Sequence, residues 1–470
     1  MLFTSPLSEA RSFLEEILNH HDISNNEPLI HSKHQLTWIS ICITAMVFMG
    51  MLCFAKIQQA SLGLYSARAF SSMFHSSKIS WVKLFECSIL RLIKLFGVEG
   101  VLVVDDTDRL RAKSTKTLFG IHKLRDKKTG GYSVGQNIVV LVFVTKKMTF
   151  PVGFRFFIPD PAWTEWRKND KILRLKKVKK SQRPKKPERS DMHPTRITIA
   201  GNLIKKFKFL VPDLKIQAIC VDAAFLCKEF VDTCEALFPK VQIISQIKQN
   251  QLVKGANQAL KSVKEFFKNQ IALTTKISLR GGIEKSISYV NRRIFVNSHS
   301  RKLHVIALKY EGEVDYRYIV ATNLSWTCLD IIRAYAQRWL IEVFFQDWKR
   351  YDGWGKSSCQ RGVDGACRGV ILSLLVDHFL LSHPFQLERV KAGLAALTAG
   401  SLQRYLQSKS VFDSIAQILE SQDPKKALKE LVQSVEKWIE FRPSDKHMTG
   451  HSIGDFLPSA SLAKKFKLQT

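Results

Sequence analysis

YAQRWLIEVFFQDWK, residues 335–349, is the stretch on which the reading of this chain turns. With Glu342 as reference on an α-helix, Tyr335 lies at about +20°, Arg338 at about −40° and Lys349 at about −20°, so the four share one narrow polar stripe. Leu340 and Phe344 lie nearly opposite, flanked by Val343, Ile341 and Trp348. Asp347 intrudes on the apolar arc, and periodicity offers no account of it. Taken alone, the pattern describes an amphipathic helix with a salt-bridged solvent face, Arg338 and Glu342 forming an i,i+4 pair. A chemical reading needs partners elsewhere in the chain.

Upstream, VLVV (101–104) is a short β-branched run ending in Asp105-Asp106-Thr107, followed by a Lys-rich loop with a turn at Gly130-Gly131. IVVLVFVT (138–145) and FPVGFRFFI (150–158) read as two strands, joined as a hairpin through Lys146-Lys147-Met148-Thr149. A helix is expected near 194–210, and a strand over IQAICVDAAF (216–225) with Asp222 near its end. A helix over 227–238 and a strand over VQIISQI (241–247) follow. The order is strand, strand, strand, helix, strand, helix, strand. Residues 270–323 alternate through ALTTKISL, KSISYVNRRIFVN, KLHVIALKY and YRYIVATN, a β-rich insertion. A long helix is expected from about Cys328 to Arg350. Residues 1–95 and the chain after Gly365 read as mostly helical. The fold class is therefore α/β, a mixed sheet with helices. Its divisions are 1–98 (helical, a candidate DNA-binding region), 99–247 (first part of a core), 248–325 (β-rich insertion), 326–385 (the Glu342 helix and end of the core) and 386–470 (helical, a candidate pairing region).

The 470 residues carry 72 Lys and Arg against 41 acids, a net charge of +31. Such an imbalance argues for a polyanionic partner, nucleic acid or an anionic membrane surface. Residues 167–189 hold twelve Lys/Arg and two acids. A segment so charged buries too little apolar surface to order itself alone, and it reads as a loop or arm that becomes an electrostatic clamp beside phosphates. Nine cysteines, an odd number with no CxxC, argue against a disulfide framework or zinc ribbon and are consistent with a reducing cytoplasm. Cys220, Cys227 and Cys234 read as small buried thiols. The N-terminus lacks the basic and apolar regions of a signal peptide. LTWISICITAMVFMGMLCFA (36–55) carries no charge over a length that spans a bilayer, so a buried helix and a membrane span both stand open. His447 and His451 stand at i,i+4, but no Glu follows His447, so a loop is expected rather than a zinc helix. No Walker-type loop is present, and no nucleotide cofactor is expected.

Three acids from distant positions give the polar stripe its alternative meaning. Asp105 and Asp222 each close a β-branched run, a common place for site residues in sheets covered by helices. Phosphodiester cleavage uses two divalent ions to activate the attacking oxygen and stabilise the leaving one. Mg²⁺ takes carboxylate oxygens. Asp105, Asp222 and Glu342 would supply them, while Arg338, Lys349 and Tyr335 are candidates for binding DNA phosphates.

Tyr335-x2-Arg338-x3-Glu342-x6-Lys349 resembles the Y-R-E-K signature of bacterial insertion-sequence transposases of the DDE class. The resemblance covers roughly residues 99–385. It implies a ribonuclease H-like core with a β-rich insertion between the second and third catalytic acids. Glu342 would be the third acid, Asp222 the second, and Asp105 in D-x-T the first, with Asp106 as the alternative first acid. Successive strand residues point to opposite faces, so only one of the two reaches the metals. Asp222 is followed by Ala-Ala, where many relatives have Arg and Gly. The resemblance further implies two Mg²⁺ (or Mn²⁺) ions and metal-dependent cleavage of double-stranded DNA at terminal inverted repeats. Strand transfer into target DNA, a homodimer in the DNA complex and a cytoplasmic, nucleoid-associated setting are implied with it. Trp326 is a candidate, by type, for stacking a flipped base, and a packed Trp before the helix is its structural alternative. Two other classes remain: a catalytically inactive DNA-binding relative, and a basic membrane-surface protein anchored by residues 36–55.

Overall fold

The β-branched runs assemble into twelve strands of one mixed sheet. In chain order they are β1 Glu99–Arg111, β2 His122–Arg125, β3 Tyr132–Val144, β4 Thr149–Phe157, β5 Lys215–Val221 and β6 Gln242–Gln246. Then come β7 Leu252–Lys254, β8 Lys261–Ser262, β9 Leu273–Ser278, β10 Glu284–Val296, β11 Arg301–Tyr310 and β12 Arg317–Ala321. The computed structural model describes residues 3, 5–19, 28–112, 115–126, 129–255, 259–279, 282–354 and 360–438. His447 and His451 lie outside these residues.

The spatial order is β2-β3-β1-β5-β6-β12-β11-β10-β7-β8, with β4 also on β3 and β9 also on β10. β4, β3 and β1 run antiparallel, whereas β1, β5 and β6 run parallel. Parallel neighbours need a crossover. Helices Arg196–Leu210 and Lys228–Leu237 provide the two crossovers, the first packing on β3 and β4. Helices Cys328–Ala336 and Trp339–Arg350 pack on β5, β6, β1 and β4. Covered on both faces, β3 is a continuous apolar run from Ile138 to Val144, every residue of it buried.

Several expectations change in three dimensions. β1 does not stop at Asp105-Asp106-Thr107 but continues to Arg111, because β3 pairs with it as far as Arg111↔Val134. The strand that ends at this level is β5, whose pairing with β1 stops at Val104↔Val221. In the β-rich insertion, β12 pairs with β6 and so extends the core sheet. The insertion brings its own apolar core, including Val253, Val296, Leu303 and Val305. The single long helix from Cys328 is two helices. Between them Gln337, Arg338, Leu340 and Ile341 donate to carbonyls three residues back, a tighter turn than an α-helix makes.

Residues 36–55 run through helix Lys33–Met49, buried from Gln35 to Phe48 except at half-buried Thr37, a helix that turns by 88° into helix Phe54–Ala60. Gly50 at φ +60° caps the first helix in the left-handed conformation that such a stop requires. No single helix among the described residues is long and apolar enough to cross a membrane. The expected terminal regions share the core of the sheet. Phe13 meets Phe379 at 5.7 Å, and Ser88 Oγ lies 2.8 Å from His378 Nδ1, whose Nε2 lies 2.9 Å from the Pro151 carbonyl of β4. Gln407 donates to the carbonyls of Val47 and Phe48. The described cysteines are free; Cys220 and Cys234 are buried as expected, whereas Cys227 is only half-buried.

Candidate active site

Asp105 is the first β1 residue past the Val104↔Val221 pair, and Asp222 is the first residue past β5. Parallel neighbours lie about 4.8 Å apart and keep the same face in register. The termination of β5 therefore sets two carboxylates side by side, 117 positions apart in sequence but adjacent in space. Only 12% of the Asp105 side chain is exposed. Burial pushes its carboxyl up to about 7, against the opposing pull of the Asp106 amide and Arg338, and the charges of Asp106 and Asp222 add to the rise.

The Glu342 helix covers this face. Arg338 Nη1 donates to Asp105 Oδ2 at 3.1 Å and lies 3.6 Å from Glu342 Oε1. One guanidinium nitrogen thus stands between two carboxylates from different elements. Glu342 remains 40% exposed. Burial opposes the charge on Arg338, but Tyr335, Asp105 and Glu342 outweigh it and hold the guanidinium above its usual range. The Tyr335 phenol is buried and pushed up to about 12 by that burial, with Arg338 pulling it back. Lys349 Nζ donates to Thr107 Oγ1 at 2.5 Å, two residues along β1 from Asp105 and on the same face. Burial lowers the Lys349 ammonium, while Asp108 and Glu342 pull it up. Arg338 and Lys349 of the polar stripe therefore reach onto β1 and Tyr335 is buried, while Glu342 keeps part of its carboxylate in solvent.

The apolar side of the helix is turned from the expected one. Ile341, Phe344, Phe345 and Trp348 are buried, Leu340 is half-buried and Trp339 is 64% exposed. Within helix Trp339–Arg350 the buried arc runs through Phe344, Trp348, Ile341 and Phe345, so Phe345 joins the expected apolar side and Val343, 39% exposed, leaves it. Asp347 has an account here: it lies near the buried carboxyls Asp352 and Asp377, and burial raises all three.

Asp106 points away from this site. Its Oδ2 accepts from Asn137 Nδ2 at 2.6 Å, and Asn137 Nδ2 also donates to Asp108 Oδ1 at 2.6 Å. Arg196 Nε donates to Asn137 Oδ1 at 3.1 Å and lies 3.6 Å from Asp106. Sequence reasoning does not single out Asp108, Asn137 or Arg196. The available signal is the i, i+2 spacing of Asp106 and Asp108, which puts both on one strand face. Trp326 is half-buried and packed against the main core just before helix Cys328–Ala336.

By donor type, Asp105, Asp222 and Glu342 fit a hard divalent cation. Arg338 Nη1 demonstrates that positive charge is accommodated between two of them. Among the described residues, no three acids, histidines or cysteines stand close enough together to hold a metal ion.

No protein-family profile matches this chain, and no curated protein matches it by sequence. Among solved structures, it is similar to a piggyBac transposase synaptic complex with hairpin DNA. That similarity covers 98% of this chain and 89% of that chain, with 11% identity and a TM-score of 0.41. It is also similar to the NurA nuclease from Sulfolobus solfataricus over 73% of this chain and 86% of that one, at 10% identity and a TM-score of 0.19. Neither likeness is close enough to assign an activity.

Proposed function

We propose that this chain is a DDE-class transposase that cuts DNA at element ends and joins the freed 3′ ends to target DNA, as the Y-R-E-K resemblance implies. The observation that carries the reading is the meeting of Asp105 and Asp222 at the end of the β1–β5 pair, with Arg338 joining Asp105 to Glu342. The order β4-β3-β1-β5-β6, three antiparallel strands and then two parallel ones reached through helices, supports the ribonuclease H-like reading of the core. Asp105 serves as first acid because it faces the Glu342 helix, whereas Asp106 is committed to Asn137 and Arg196.

Asp105, Asp222 and Glu342 would hold two Mg²⁺ or Mn²⁺ ions. Bound there, the ions would supply activation of the attacking oxygen and neutralisation of charge on the leaving oxygen. Arg338 would exchange its carboxylate partners for a phosphate oxygen, which its guanidinium fork suits. Lys349, fixed by Thr107, would place a point charge beside the same backbone, and Tyr335, whose ring lies against the Arg338 guanidinium, would donate a hydrogen bond to phosphate with it. Double-stranded DNA with terminal inverted repeats, target DNA, a homodimer on paired ends and a nucleoid-associated cytoplasmic setting complete the proposal. Incubating the purified protein with inverted-repeat DNA and Mg²⁺ tests it. Wild type is expected to cut at the repeat ends and Glu342→Ala to lose cutting; undiminished cutting by Glu342→Ala would falsify the assignment.

A second reading, a catalytically inactive DNA-binding relative, draws on the lack of a closed metal-ligand cluster among the described residues. Mn²⁺ binding that disappears in Asp222→Asn separates the two. An inactive relative shows DNA binding with no such metal dependence.

A further inference from the structure

We propose that residues 160–190 form a preorganised clamp for the phosphate backbone of duplex DNA, a site separate from the acids and resting on the reading of the chain as a DNA enzyme. Its composition alone describes a solvated tail, but its packing describes a built element. Asp160 caps helix Pro161–Leu175 through the amides of Ala162 and Trp163, and its other oxygen accepts from the amide of Ser190 at 3.4 Å. The segment is thus closed at its base.

Two devices hold it ordered. Asp170 accepts Arg183 at 2.8 Å and Arg174 at 2.8 Å, tying the returning chain to the helix. Trp163 carries the guanidinium of Arg189 at 3.8 Å and the ammonium of Lys186 at 4.7 Å over its ring, while Trp166 Nε1 donates to the Pro184 carbonyl at 3.0 Å. The sequence expectation of a segment unable to order itself is corrected here. A few aromatic and paired-charge contacts order the backbone without burying the remaining cations. Apart from Arg174 and Arg183, no Lys or Arg of residues 167–189 forms an ion pair with an acid among the described residues. Lys168, Lys171, Lys176 and Lys179 are all exposed.

This element is rooted beside the face of β1 that carries Asp106 and Asp108, the face turned away from Asp105. Phe157, the last residue of β4, pairs with Asn137, which bonds Asp106 and Asp108 of β1. The returning chain leads through Thr195, the cap of the next helix, to Arg196, which reaches the same Asn137. The clamp therefore springs from the β4 side of the sheet, on the Asp106 face of β1. A helix of 15 residues spans roughly 22 Å, a length over which duplex DNA presents about a dozen phosphate charges. Exposed cations carried on a held backbone along that length match a polyanion of regular charge spacing. The occupant is duplex DNA, bound without regard to sequence.

Salt-dependent binding of a labelled duplex of arbitrary sequence tests the proposal, with wild type, an arm variant (Lys168→Gln, Lys171→Gln, Lys176→Gln) and a control of equal charge change (Lys425→Gln, Lys426→Gln, Lys429→Gln). Between roughly 50 and 200 mM salt, the arm variant is expected to lower the slope of log affinity against log salt by about two to three, at about 0.9 for each phosphate no longer neutralised. The control should keep the wild-type slope. An unchanged slope in the arm variant, or an equal drop in the control, overturns the clamp while leaving the DNA reading intact. Wild type that binds no duplex overturns both. Vesicles containing phosphatidylserine form a further arm: arm-dependent binding to them without arm-dependent DNA binding would overturn the proposal in favour of a membrane surface.

Discussion

Asp105→Asn offers the sharpest test of the candidate site, because the cost being removed can be worked out from the fold. Burial holds the Asp105 carboxyl at about 7, against an ordinary value of 3.8. That difference corresponds to roughly 4 kcal/mol, at about 1.4 kcal/mol for each pH unit. It already contains the attraction of Arg338. A carboxyl raised in the fold contributes stability that is fully present below 3.8 and is lost as pH rises through about 7. Asn keeps the shape and never ionises. In chelator-treated protein, wild type and Asp105→Asn should melt at similar temperatures at acid pH. Above neutrality the variant should be the more stable, by on the order of 5 °C for a chain of this size. Added Mn²⁺ should raise wild type at alkaline pH, by restoring a counter-charge to the carboxylate, and should leave the variant behind. Thermal melts followed by circular dichroism at two pH values, with and without Mn²⁺, provide the measurement. Parallel pH profiles for the two proteins would refute the argument that Asp105 is held protonated by its surroundings.

Two further perturbations address neighbouring features. Asn137 is fully buried and its amide stands between Asp106 and Asp108, so Asn137→Ala should destabilise the fold by about 2–4 kcal/mol as paired carboxylates lose their donor; an unchanged melting temperature would show that Arg196 alone suffices. Asp352 is wholly buried and neither of its oxygens has a hydrogen-bond partner among the described residues, and burial together with Asp377 and Asp347 holds it well above the usual carboxylate range. Its contribution is present at acid pH and lost as pH rises, so Asp352→Asn should flatten the fall of melting temperature on the alkaline side, and a profile as steep as wild type would rule this out.

Much of the architecture arises from local pattern. The β-branched runs beginning at Val101, Ile138, Phe150, Ile216 and Val241 all lie within observed strands or overlap them, since strand propensity and apolar runs act over a few residues. The Arg338–Glu342 pair is likewise a local consequence of helical spacing. β2, by contrast, is legible in sequence only as loop, because His122–Arg125 has no apolar run and is a strand only through its pairing with β3.

Residue types and spacing by themselves determined the mixed α/β pattern and singled out three acids together with Arg338 and Lys349, the cations beside Glu342. Which of two adjacent aspartates meets those cations was a matter for tertiary structure. β1 runs through both, and the choice comes from the sheet having two faces: one under Arg338, the other under Arg196. The tight turn at Gln337–Arg338 and the order in residues 160–190 also belong to tertiary structure. Each depends on partners distant in sequence or on a backbone turn, and neither composition nor a uniform helical period carries that information.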